Sequence, residues 1–206
     1  MLFRSEGLRA VAATGRCGFR LTPNQNLLLS DIAPDHQAGI ESLLREYGLL
    51  APVSPLQRLA LACVGLPTCG LAMAESERYA PEFLDRLGQV LARHGLAEAG
   101  IHVRITGCPN GCARPFVAEI ALVGKAPGRY SVYLGGAHDG TRLNTPWRDN
   151  ITEVELLSAL EPLFAGYAAE RLDSERFGDF LHRTSRIATV RSGRDFADAA
   201  RALAAG

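Results

Sequence analysis

Four of the five cysteines fall in two short loops. The first is Cys63-Val64-Gly65-Leu66-Pro67-Thr68-Cys69, and the second is Cys108-Pro109-Asn110-Gly111-Cys112. Pro and Gly separate each pair, which holds the thiols on loops rather than helices. Two loops that each present two thiols suit one shared metal centre. Structural zinc knuckles use C-x2-4-C, a spacing the second pair fits and the first exceeds. A cubane iron–sulfur cluster takes one thiolate per iron and tolerates wider, unequal spacings. Its sulfides accept hydrogen bonds from backbone N–H groups, which Gly-rich loops offer without a Cβ in the way. The spacing therefore favours a cluster, with zinc and with unligated or disulfide-bonded thiols as the alternatives. An odd cysteine count and no secretion signal weigh against disulfides. Cys17 stands alone and reads as a small buried or half-buried hydrophobe.

The elements that must position these loops can be read from periodicity. Residues 4–14 carry Leu8 and Val11 and suit a short helix. Phe19-Arg20-Leu21-Thr22 alternates, Pro23-Asn24 turns, and Leu27-Leu28-Leu29 is a short apolar run, which together read as two strands. Arg20, Thr22, Asn24, Gln25 and Asn26 form a dense polar group there, either a solvated turn or donors for anionic groups. Asp35–Tyr47 is a helix opened by Pro34 and ended by Gly48. The Pro-rich stretch 51–55 marks a boundary, giving units 1–52 and 53–206.

Beyond the first cysteine loop, 71–79 reads as helical, and Pro81 restarts the helix. Phe83, Leu84, Leu87, Val90 and Leu91 then form an apolar stripe to His94, with Gly95 as stop signal. Residues 101–105 alternate strictly and form the strand that delivers Thr106 and the second loop. His102 lies opposite Ile101 and Val103, so it reads as solvent-facing or half-buried and not as a ligand. Strands over 118–123 and 129–134 flank a turn at 124–128 that lacks phosphate-loop spacing. Residues 135–140 read as a loop, and the segment holding Trp147 and Arg148 shows no periodicity. Thr152 and Glu155 form a capping box for a helix to about Leu172, which Pro162 should kink. A short helix starts at Phe177, and the Ala- and Arg-rich tail suits a peripheral helix.

Composition narrows the classes further. Apolar content of 47% is that of a globular chain with a core. The formal charge is zero, without the basic excess a nucleic-acid or anionic-membrane surface would need. No apolar run reaches membrane-spanning length, and residues 1–13 lack a signal-peptide core. The expectation is a soluble cytoplasmic protein.

Three stretches together carry a resemblance: Ala62 to Glu75, Thr106 to Cys112, and Leu122-Val123-Gly124-Lys125-Ala126-Pro127-Gly128-Arg129-Tyr130. With Phe19-Arg20-Leu21-Thr22-Pro23-Asn24-Gln25-Asn26 they resemble the sirohaem-dependent sulfite and nitrite reductases. Within that family the chain looks like the haemoprotein (beta) subunits of NADPH-dependent assimilatory sulfite reductases. The resemblance runs from about Phe19 to Arg186. Gly70 stands where the family often has Pro, and Pro115 follows Arg114 where a small residue is usual; neither change removes a ligand.

The resemblance implies an α+β fold: the C-terminal part of a ferredoxin-like half domain (1–52), then a sirohaem and 4Fe-4S reductase domain (53–206) of helices packed on a mixed sheet. It implies a [4Fe-4S] cluster on Cys63, Cys69, Cys108 and Cys112, with Cys112 also ligating the sirohaem iron and so acting in catalysis. Asn110, Gly107 and Gly111 would support the thiolates. Arg20, Gln25 and Asn26 would meet the sirohaem carboxylates. Arg104, Arg114 and Lys125 are candidates for nearby positive charge, with surface solvation as their ordinary role. The implied activity is six-electron reduction of sulfite to sulfide. The implied partners are a flavoprotein alpha subunit, or ferredoxin, and the missing N-terminal half that carries the sulfite-binding Arg and Lys residues. The chain would then be a C-terminal portion, inactive alone. A ferredoxin-dependent nitrite or sulfite reductase portion is the nearest alternative, and a non-catalytic iron–sulfur electron-transfer module is another.

Overall fold

The computed structural model describes residues 2–50, 52–190 and 192–205. The chain divides into two compact units, residues 1–53 and 54–206.

In the first unit, helix α1 (Leu2–Ala13) precedes the strands β1 (Gly18–Leu21) and β2 (Leu27–Ser30), and helix α2 (Pro34–Glu46) follows. β1 and β2 form an antiparallel hairpin, with Gly18 opposite Ser30 and Leu21 opposite Leu27. Val11 of α1 and Ile40 of α2 are buried. Pro34 opens α2, where its missing N–H costs nothing.

The second unit is built on a five-stranded mixed sheet in the order β3-β4-β5-β6-β7. These strands are Leu61–Ala62, Val103–Thr106, Ile120–Ala126, Arg129–Leu134 and Thr145–Ile151. β3, β4 and β5 run parallel to one another, and β6 and β7 are added antiparallel. Ile120, Ala121, Leu122 and Val123 are all buried, so β5 is covered on both faces. Helices α3 (Pro55–Leu59), α4 (Ala80–Arg93), α5 (Glu153–Glu170), α6 (Phe177–Arg183) and α7 (Gly193–Ala205) complete the unit. The apolar stripe of α4 is buried at Phe83, Leu84, Leu87, Val90 and Leu91, as its spacing requires. It shares one core with Ile105, Leu122, Val132, Leu160, Phe164 and Phe177. Arg86 grips Glu153 of α5 in a two-pronged ion pair, and Arg93 meets Glu161 at 2.9 Å. Helices beside a mixed sheet make the fold α+β.

Three sequence expectations change. Residues 71–79 form turns, not a helix, because long-range backbone bonds claim them. Met73 and Ala74 donate to the Gly107 carbonyl, and Glu77 donates to that of Cys63. The aperiodic segment around Trp147 is a strand, β7, whose pairing with β6 shifts register twice and so breaks the alternation. Gly124 and Lys125 lie in β5 rather than in a turn. The helix α5 continues through Pro162 on its exposed side.

The Thr152 capping box is present: the Thr152 hydroxyl accepts from Glu155 N–H at 3.4 Å, and the Glu155 carboxylate accepts from Thr152 N–H at 2.7 Å. Thr152→Ala is expected to destabilise the chain by about 1 kcal/mol, read as a lower urea midpoint with an unchanged slope.

Candidate metal centre

Sheet topology explains why the two cysteine loops meet. β3 and β4 are parallel neighbours, with Leu61 beside Arg104 and Ala62 beside Ile105. Their C-terminal ends therefore lie side by side. Cys63 leaves the end of β3, and Gly107 and Cys108 leave the end of β4. The Cys63 N–H extends the ladder by donating to the Ile105 carbonyl at 3.1 Å.

The loops are then laced together. The Gly107 N–H donates to the Cys63 sulfur at 3.1 Å. The buried Thr106 hydroxyl lies 3.6 Å from that sulfur and 3.4 Å from the Cys108 carbonyl oxygen. The fully buried Ser76 hydroxyl donates to the Ile105 carbonyl at 2.7 Å. Burial opposes ionisation of the Cys63 thiol. Hydrogen bonds from Gly107 N–H, the Thr106 and Ser76 hydroxyls and Gly65 N–H outweigh it and hold the thiol below its ordinary pKa. Glycine is required where the loops cross. A Cβ on Gly107 would stand 2.8 Å from the Ala74 carbonyl oxygen and 3.0 Å from the Gly65 Cα.

The other thiols differ in exposure. Cys108 is buried, Cys69 is half-buried and Cys112 is exposed; all five cysteines are free thiols. The Cys69 N–H donates to Gly65 and its carbonyl accepts from Ala72, which curls the first loop into a turn. In the second loop Gly111 donates to Cys108, and Arg114 donates to Gly111. Four thiols on two adjoining loops, with a backbone donor on one sulfur, are a donor set of the kind a cubane takes.

Two guanidiniums lie beside the second loop. Arg104 donates to the Arg114 carbonyl at 2.9 Å. Burial and the nearby Arg114 charge lower the Arg104 pKa. Lys125 is paired instead with Asp149 at 2.9 Å, so its charge is already answered. Asn110 is exposed at the tip of the second loop. Arg20, Gln25 and Asn26 belong to the first unit's hairpin, where all three are exposed. The Arg20 guanidinium donates to the Ser30 hydroxyl at 3.2 Å and faces Asp31. Gln25 sits at the turn with φ 61. Gln25 and Asn26 edge a cavity of about 530 Å³ lined by Leu8, Leu27, Leu29 and Leu44. The sequence reading missed Ser76, because it lies in the segment taken for helix. It also missed that the half-buried His102 stacks on His138, with ring centres 3.9 Å apart.

No protein-family model matches the chain. Over 186 residues it is 58% identical to the "Sulfite reductase [NADPH] hemoprotein beta-component" of Xylella fastidiosa (strain M23), covering 88% of this chain and 33% of that protein. Over 197 residues it is 50% identical to the protein of the same description from Methylobacterium radiotolerans, covering 96% and 32% respectively. The fold matches the solved structure of Mycobacterium tuberculosis NirA protein with a TM-score of 0.72 and 25% identity, over 92% of this chain and 36% of that one. The chain thus spans about a third of the length of the curated relatives it matches. Within that span, cysteine loops included, the chain is a homologue of about one third of these sulfite reductase [NADPH] hemoprotein beta-components.

Proposed function

We propose that Cys63, Cys69, Cys108 and Cys112 hold a [4Fe-4S] cluster, and that Cys112 also ligates a sirohaem iron. On this reading the chain is the electron-delivering, C-terminal portion of a cytoplasmic assimilatory sulfite reductase serving cysteine biosynthesis. The observation that carries the proposal is the lacing of the loops: Gly107 donates to the Cys63 sulfur across two segments 44 residues apart. When bound, the cluster and haem would supply stored electrons and an iron to which sulfite can attach.

This chain's own residues do the holding. Gly107, Thr106 and Ser76 favour Cys63 as the thiolate, the form in which a metal takes it. Arg104 and Arg114 offset the charge gathered by several thiolates, and Asn110 and Gly111 shape the outer loop. Arg20, Gln25 and Asn26, exposed donors on the first unit's hairpin, are assigned to cofactor carboxylates. A flavoprotein partner drawing on NADPH would bring the electrons. The sulfite-binding cations are assigned to the part of the longer protein outside this chain, since sulfite needs several convergent positive groups.

Anaerobic reconstitution with iron and sulfide tests the reading. The expected product binds about four iron and four sulfide per chain, shows broad visible absorption that bleaches on reduction, and does not turn over sulfite unaided. A colourless product that takes up zinc in preference to iron would overturn it.

A further inference from the structure

We propose that His102, Glu119 and His138 form a second metal site, suited to a divalent first-row ion and matched best by zinc. The residues come from three separate stretches, and the sheet brings them together. His102 and Glu119 immediately precede the parallel neighbours β4 and β5, where Val103 stands beside Ile120. β6 ends with Leu134 opposite Ile120, and the chain returns through 135–138 to the same corner. Each residue offers one ligand atom, and these atoms lie within 4.8 Å of one another. The cysteine loops leave the opposite end of β4, so a four-residue strand, about 13 Å long, separates the two sites.

The geometry is close to what an ion would need. The His138 Nδ1 lies 3.2 Å from the Glu119 Oε2. A tetrahedral ion with bonds of about 2.1 Å sets its ligands about 3.4 Å apart. Glu119 is fully buried, and its carboxylate is held by backbone donors: His102 N–H to Oε2 at 2.9 Å, and Gly178 N–H to Oε1 at 3.1 Å. Metal-ligating carboxylates are oriented by outer hydrogen bonds of this kind. The His138 side chain is 26% exposed, so an ion has a way in. Burial first, then the neighbouring His138, keeps His102 neutral down to a pKa of about 4. To converge on one ion the stacked rings must splay apart at their outer edges, a side-chain rotation at a half-exposed surface. An ion here would clasp the starts of β4 and β5 to the 135–140 loop. Because the three ligands converge only in the folded chain, it would stabilise that fold.

Cobalt(II) is the probe, since thiolate ligation gives intense charge transfer that nitrogen and oxygen ligation does not. Titration of the full chain at neutral pH is expected to show one cobalt ion with ligand-field bands and no thiolate charge transfer, displaced by zinc. His102→Asn and His138→Asn should each weaken that ion's binding by at least about 100-fold, leaving any thiolate-bound signal unchanged. Should a variant fail to fold, histidine proton resonances of the unmodified chain decide. Paramagnetic shifts at both His102 and His138 support the site; unmoved resonances overturn it. The proposal also fails if every cobalt signal carries thiolate character, or if the non-thiolate ion binds both variants with unchanged affinity. None of these outcomes depends on what the cysteine loops hold.

Discussion

Cys112→Ser is expected to remove the proximal haem ligand and to weaken the cluster at once, whereas serine at Cys63, Cys69 or Cys108 should affect the cluster alone. The expectation rests on exposure. Cys108 is buried, and Cys63 receives hydrogen bonds on its sulfur from within the fold. Cys112 is the exposed thiol of the four, at the outer end of a loop turned by Gly111 and Arg114. Only a sulfur with open space around it can bridge to a second iron. A serine oxygen is a harder and more basic donor than thiolate, and it forms such a bridge poorly. The measurement is cluster and haem spectra with reductive titration, for all five single serine variants in the assembled longer protein. Cys17→Ser is the control. It lies in the other unit and should leave both spectra unchanged. Haem coordination that survives in Cys112→Ser, with the cluster perturbed as in the other three, would rule out the bridge. Loss of the cluster in Cys17→Ser would rule out the ligand set.

What was legible in the sequence was mostly local. The α4 stripe, the Thr152 box and the alternation of β4 are short-range patterns, and the fold keeps them. The cysteine loops were legible because Pro and Gly spacing marks loops wherever they occur. What escaped depends on contacts between distant residues. Residues 71–79 carry a helix-compatible composition, but Gly107 and Cys63 take their backbone donors. β7 lost its alternation to two register shifts. His102 was read as solvent-facing or half-buried, and it is half-buried. Its neighbours, Glu119 and His138, are 17 and 36 residues away, and only the parallel register of β4 and β5 shows that they meet. Buried Glu119 gave no signal, since a lone carboxylate in an apolar stretch looks like a strand edge until Gly178 and His102 are seen to donate to it.

Gly124→Ala is expected to cost about 3 kcal/mol or more and to abolish cluster uptake, although it adds one methyl group far in sequence from most of the cysteines. Gly124 lies in β5 opposite Tyr130. A Cβ there would stand 2.4 Å from the Gly107 carbonyl oxygen, 2.7 Å from its carbon and 2.8 Å from the Ala74 Cβ. Relief to ordinary contact needs a shift of about 1 Å, and the Gly107 peptide has little freedom to give it. Its carbonyl accepts from Met73 at 2.7 Å and Ala74 at 3.0 Å, and its N–H donates to the Cys63 sulfur at 3.1 Å. Displacing this peptide strains the bonds that place the segment after the first cysteine loop and the one that holds Cys63. A side chain would have rotated away; backbone atoms cannot. Gly88→Ala is the control, because its Cβ would meet only the Leu56 Cδ2 at 3.9 Å. Inside α4 that change should be neutral, or stabilising by about 0.5–1 kcal/mol. Urea unfolding and iron uptake of both variants make the comparison. If Gly124→Ala unfolds at the same urea concentration as the parent chain and takes up as much iron, the cysteine loops do not rest on β5 at this glycine.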